Sequence, residues 1–96
     1  MPKAVWNNQI IAEATANDIQ RLEGNVYFPI TSVKFEFLRS SDSHTTCSWK
    51  GIASYYDVLV GHEVNEDAAW YYPDPFRKAI HIKDHIAFWH GVQVEE

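Results

Sequence analysis

The sequence predicts an all-β domain, a sandwich or open barrel of short strands. Three observations carry that expectation. Apolar and polar residues alternate with period two along most segments. Clusters of Gly, Pro, Asn, Asp and Ser interrupt the alternation roughly every eight to twelve residues. No stretch carries an apolar stripe at helical spacing over about ten residues or more, which leaves room for at most one or two short helical turns.

After Met1-Pro2-Lys3, the run Ala4-Val5-Trp6 is brief and apolar, and Asn7-Asn8 offers a turn. Gln9 to Thr15 alternates, with Ile10, Ala12 and Ala14 on one side and Ile11, Glu13 and Thr15 on the other, as in a half-buried strand. Asn17 to Gly24 fits either a capped helical turn or a strand. Strand is the better reading, because its neighbours are strands and so short a helix is poor in isolation. Gly24-Asn25 turns the chain into Val26-Tyr27-Phe28, which Pro29 ends by withholding an amide donor. Ile30 to Ser32 reads as one tight turn, and Val33 to Phe37 as a strand with Val33, Phe35 and Phe37 inward. Ser40-Ser41-Asp42-Ser43 reads as a polar loop.

Ile52 to Val60 has the strongest strand character, with Ile52, Tyr55, Tyr56, Val58 and Val60. Val64-Asn65-Glu66-Asp67 reads as an acidic turn, and Ala68 to Tyr72 as a strand stopped by Pro73-Asp74-Pro75. Phe76 to Ala79 fits one helical turn. Ile80-His81-Ile82 is expected to pair with Ile86 to Trp89 across Lys83-Asp84-His85, and Gly91 to bend the chain into Val92-Gln93-Val94.

Ninety-six residues correspond to one domain, 1–96, and 46% hydrophobic residues suffice for a core without staples. The single cysteine excludes an internal disulfide and a four-cysteine zinc site. No signal-like segment and no apolar run near about eighteen residues is present, so a cytoplasmic location and no membrane partner are expected. Thirteen acidic against eight basic residues give a net charge of −5, and the basic residues are scattered. Release of counterions from a phosphate backbone needs clustered Lys and Arg, so nucleic acid is not an expected partner.

The chemistry concentrates in Thr45-Thr46-Cys47-Ser48-Trp49-Lys50-Gly51. A cysteine is nucleophilic as the thiolate, and an ammonium three residues on favours that form. Cys47, Lys50 and Tyr55 are thus the catalytic candidates, with His44 or Tyr55 as proton carriers. The competing role for Cys47 is that of a small buried hydrophobe. The second concentration is of rings: Trp49, Tyr55, Tyr56, Trp70-Tyr71-Tyr72 and Trp89. On a strand Trp70 and Tyr72 share one face and Tyr71 takes the other, so rings beside one ammonium suit a flat small molecule or a cation.

His81, His85 and His90 have ligand spacing only on a helix, and His44-x-x-Cys47 with His62 lacks a second cysteine, so neither metal nor cofactor is expected. Glu23, Asp57, Asp67 and Asp74 are not paired by spacing for acid–base work. No phosphate-binding glycine loop and no nucleophile elbow is present.

An ordered set of segments resembles a known family. It comprises Trp6, Ile11-Ala12-Glu13, Glu23-Gly24-Asn25-Val26-Tyr27-Phe28-Pro29, Thr46-Cys47-Ser48-Trp49-Lys50-Gly51-Ile52-Ala53-Ser54-Tyr55-Tyr56, Ala69-Trp70-Tyr71-Tyr72-Pro73 and Ile86-Ala87-Phe88. The set is similar to a family of small, mostly bacterial proteins called domain of unknown function number four-two-seven. The family usually has proline where this chain has Ser48. The resemblance implies a β-tent (Mss4-like) fold, two antiparallel sheets pinned at one edge and splayed at the other. Relatives of that shape include B-type methionine sulfoxide reductases and the thalidomide-binding domain of cereblon, which holds its ligand in a tryptophan cage. Analogy of fold makes Trp49, Trp70 and Tyr72 candidates for a similar lining. The family is also labelled nucleotidyltransferase-like, but this chain has no glycine-serine loop followed by paired aspartates.

These readings lead to a small-molecule binding module with an aromatic pocket between its sheets. Its ligand-binding residues would be Trp49, Lys50, Tyr55, Trp70 and Tyr72, and it would be a monomer or weak homodimer. An enzyme using Cys47 as thiol nucleophile or redox residue with Lys50 is the alternative. A protein-interaction domain with an exposed sheet edge is the third reading.

Overall fold

Asparagine tolerates left-handed backbone, and the first hairpin uses this twice. β1 (Lys3–Trp6) and β2 (Gln9–Glu13) are joined by Asn7 and Asn8 at φ 53° and 63°. β9 (Gln93–Glu95) pairs with the other side of β1, completing a three-stranded antiparallel sheet. Six strands make the second antiparallel sheet: β3 (Gln20–Leu22), β4 (Asn25–Pro29), β5 (Leu38–Cys47), β6 (Gly51–Val60), β7 (Glu63–Tyr71) and β8 (His85–Phe88). Their order is β3-β4-β8-β7-β6-β5. The computed structural model describes all 96 residues. The fold is all-β with two antiparallel sheets, as the sequence predicts. Helical structure is limited to short 3-10 segments at Ile30–Ser32, Phe35–Phe37 and Arg77–Ile82. No helix is long and apolar enough to cross a membrane.

Four local expectations change. Phe35–Phe37 is a 3-10 turn rather than a strand. Val33 bridges Ala12, and the Lys34 amide donates to the Ile11 carbonyl at 2.8 Å, so this segment ends on the edge of the small sheet and must turn into β5. Ile80–Ile82 does not form a hairpin with β8. It lies in the 3-10 segment Arg77–Ile82, with Ala79 and Ile82 buried, and both edges of β8 are already taken by β4 and β7.

The other two changes are bulges. Ser40–Ser43 lies inside β5 and Val64–Asp67 inside β7. Ser40 faces Tyr56 and His44 faces Ser54, four steps along β5 against two along β6. Tyr56 faces Ala69 and Val58 faces Asn65, again four steps on β7 against two on β6. The two bulges therefore lie opposite adjacent stretches of β6, Ser54 to Tyr56 and Tyr56 to Val58, which meet at Tyr56. The residues that resemble turn formers satisfy the groups a bulge leaves unpaired. Asp67, at φ 53°, accepts from the Ser41 and Ser43 hydroxyls at 2.5 and 2.7 Å, bonds that hold its carboxyl below the usual range. Its amide donates to Asp57 Oδ1 at 2.9 Å, while Arg39 Nε and Nη2 donate to Asp57 Oδ2 at 3.1 and 2.8 Å.

The alternation of the large sheet divides its side chains between two cores. Phe28, Val58, Ala69, Ile86 and Phe88 pack against Ala4, Ile11 and Ala12 of the small sheet. Tyr27, Ala53, Tyr55, Trp70 and Ala87 point to the opposite face and meet Ala79 and Ile82 of the 3-10 segment.

Asp57→Ala leaves the Asp67 amide without its acceptor. The exposed side of the Arg39 pair contributes little, so the expected cost is about 2 kcal/mol, read as a fall of roughly 10 °C in the thermal midpoint. An unchanged midpoint would mean that the bulges stand without Asp57.

Candidate functional site

β3 and β5 are the two outer edges of the large sheet. Its strands alternate in direction, so the β3–β4 turn and the β5–β6 turn sit at diagonally opposite corners. Yet these turns meet, because Lys50 Nζ of one forms an ion pair with the Glu23 carboxylate of the other. A twisted sheet is a saddle in which one pair of diagonal corners rises toward one face. Here that pair closes over the face carrying Tyr27, Trp70 and Tyr72.

Each corner is locally built for this. Glu23 and Gly24 have φ of 55° and 79°, as a two-residue hairpin turn requires. In the other corner, Cys47 and Gly51 form the last pair of the β5–β6 hairpin. Phe76 N–H donates to the Lys50 carbonyl at 2.9 Å, pinning the turn to the Pro73–Phe76 segment. Gly51 lies so close to that segment that a Cβ would sit 3.3 Å from the Asp74 carbonyl oxygen, and its φ of 116° disfavours any side chain.

Lys50 is the centre of the site. It is 9% exposed, and its Nζ lies 5.5 Å from the Trp49 ring centroid and 5.6 Å from that of Tyr72. Burial by itself pulls its pKa down. The hydrogen bond that Lys50 donates to Glu23 and the nearby Tyr72, Tyr27 and Cys47 more than offset this, so the net shift is upward. The hydrogen bond from Lys50 in turn lowers the pKa of Glu23, although its side chain is 46% exposed. Burial raises the pKa of both Tyr27 and Tyr72. Trp70 Nε1 donates to the Tyr27 hydroxyl at 3.2 Å, and their rings meet edge to face at 6.1 Å. Cys47 is half-buried against these rings.

Trp49, Lys50, Trp70, Tyr72 and Cys47 thus converge as the sequence pattern suggests. Tyr55 shares their face and pairs with Trp70 in register, but its hydroxyl is engaged by Thr45 Oγ1 at 2.8 Å and its ring stacks on Trp89. His44 Nδ1 faces Ser54 Oγ at 3.3 Å. Both side chains suggested as proton carriers for Cys47 are therefore committed elsewhere. Asp57 and Asp67 serve the bulges, and no three His, Cys, Asp or Glu residues gather as a metal site. Sequence reasoning missed Glu23 and Tyr27 as members of the site. No spacing signals either one, since only the coiling of the sheet brings them to Lys50.

The cluster lies on the face away from the small sheet, not between the sheets, and it is packed. The open hollows are elsewhere. One of about 340 Å³ is lined by residues that include His44, Ile52, Ser54 and Phe76. Another of about 240 Å³ lies beside Tyr56 and Tyr71, with Tyr72 at its border.

The ion pair fixes a pH window. The lowered pKa of Glu23 contributes stability that is present above its ordinary 4.5 and lost as pH falls through the folded-state value. The raised pKa of Lys50 contributes stability that is present below 10.5 and lost as pH rises through its folded-state value. Glu23→Gln should therefore flatten the acid limb of a stability–pH curve below pH 4.5, measured by urea denaturation. An acid limb as steep as that of the wild type would place the carboxylates responsible elsewhere.

Among curated proteins none matches this chain. A family model described as Domain of unknown function (DUF427) matches residues 3–96, nearly the whole sequence and every segment of the Lys50 site. The chain belongs to that family.

Proposed function

We propose that the protein is a small-molecule binding module acting as a cytoplasmic monomer or weak homodimer, with Lys50 as the polar anchor of its ligand. One observation carries this reading. A largely buried ammonium lies between the rings of Trp49 and Tyr72, and its single carboxylate partner comes from an exposed hairpin turn. A ligand carboxylate or phosphate can replace Glu23 without leaving the ammonium unpaired, so the exchange avoids the cost of an uncompensated buried charge. Displacing the β3–β4 turn opens the ring cluster. A flat ligand body then gains the faces of Trp49 and Tyr72, with Tyr27 and Trp70 beneath. Tyr55 orients the cluster from behind through Trp70 and Trp89 rather than touching the ligand.

A screen of anionic metabolites by thermal shift and ligand-detected NMR tests the reading. At least one compound should raise the midpoint of the wild type and lose that effect in Lys50→Met. A hit that survives Lys50→Met, or no hit among carboxylates and phosphates, would contradict it. Trp70→Ala alone is a poor probe, because Trp70 belongs to the core.

The second reading is an enzyme with Cys47 as nucleophile or redox thiol. The half-buried thiol close to Lys50 favours it. On that reading iodoacetamide alkylates Cys47 well below the pH of about 8.5 where a free thiol reacts, and Lys50→Met moves the profile upward. A profile like that of free cysteine in both proteins would exclude it.

A further inference from the structure

The face of the large sheet that carries Tyr56 and Tyr71 offers a site of opposite character. Tyr56 and Tyr71 are stacked with centroids 4.9 Å apart and planes 20° apart, and Phe35 meets Tyr56 edge-on at 5.9 Å. This arrangement walls the hollow of about 240 Å³ with aromatic surface. Ile30, Asp84 and His85 also line it. The Ile30 amide donates to the Asp84 carbonyl at 2.9 Å, which ties the β8 approach to the end of β4.

The one formally charged side chain of the lining apart from His85 is acidic, Asp84. The Asp84 carboxylate belongs to no ion pair, and neither Lys nor Arg lines the hollow. His85 Nδ1 lies 2.8 Å from the Lys83 carbonyl, to which it donates. Burial and the bond with Tyr71 push the Tyr56 pKa up to about 12, so this ring stays neutral. An anion meets Asp84 here without a counter-charge, and a neutral aliphatic group uses only the rings. A compact cation uses both, through the negative faces of the rings and the carboxylate.

We propose that this hollow binds a small organic ammonium ion, its head against the Tyr56–Tyr71 rings and its charge balanced by Asp84. The hollow shares Tyr72 with the Lys50 cluster but none of its other lining residues, and its carboxylate-and-ring chemistry stands or falls apart from that of the anion site.

The test is a titration of the full chain with choline followed by two-dimensional amide NMR. The neutral isostere with carbon in place of nitrogen is the comparison ligand. Choline should give saturable shifts at Tyr56, Tyr71, Asp84 and His85, and the isostere should bind about tenfold more weakly. Asp84→Asn changes an exposed side chain, so its spectrum should stay folded while choline affinity falls by a similar factor. Lys50→Met should bind choline as the wild type does, which separates this site from the anion site. Absence of saturable shifts, equal binding of the isostere, or unchanged affinity in Asp84→Asn would each overturn the proposal.

Discussion

The structure depends on the coiling of one six-stranded sheet that must bury both of its faces. One face has an external partner, the three-stranded sheet, and packs apolar side chains against it in the usual way of two-layer folds. The other face has no second sheet. It is covered by the Arg77–Ile82 segment and by the sheet's own diagonal corners, joined through Lys50 and Glu23. Most of the protein's polar peculiarity follows. A lysine is drawn into an aromatic surrounding because it sits on the corner that folds inward.

The two bulges belong to the same constraint. Bulges add local right-handed twist, and here they flank β6 on its two sides at successive levels that meet at Tyr56. Asp57 and Asp67 hold them together from neighbouring strands. Trp89 joins this network to the ring cluster, since its Nε1 donates to the Asp67 carbonyl at 2.5 Å while its ring meets Tyr55 and Trp70. The bulge network and the ring cluster thus meet at one side chain, Trp89.

Much of this was legible in the sequence where side chains alternate without interruption. Val26-Tyr27-Phe28, Ile52 to Val60 and Ala68 to Tyr71 fall on strands, and opposite parity correctly separates Trp70 from Tyr71. What failed were Ser40–Ser43 and Val64–Asp67, whose side chains bond to backbone both in turns and in bulges, so composition alone does not tell the two apart. Phe35 and Phe37 alternate as in a strand but follow a segment already fixed on the small sheet. In the site, the convergence of the Cys47–Lys50 turn with Trp70 and Tyr72 could be expected from adjacency of consecutive strands. The arrival of Glu23 could not, because it depends on how far an entire sheet coils. The open hollows likewise left no mark in any single segment, because each is lined from several separate stretches of the chain.

The two faces end with opposite chemistry, one centred on a buried ammonium and the other on an unpaired carboxylate beside stacked rings. The central claim is that Lys50 is enclosed and held by Glu23 across the diagonal of the sheet. Proton exchange at the lysine ammonium groups, measured by nitrogen-15 NMR near neutral pH, tests it most directly. Lys50 should exchange far more slowly than the exposed lysines and lose that protection in Glu23→Gln. A Lys50 ammonium that exchanges as fast as Lys34 or Lys78, or one unaffected by Glu23→Gln, would contradict it.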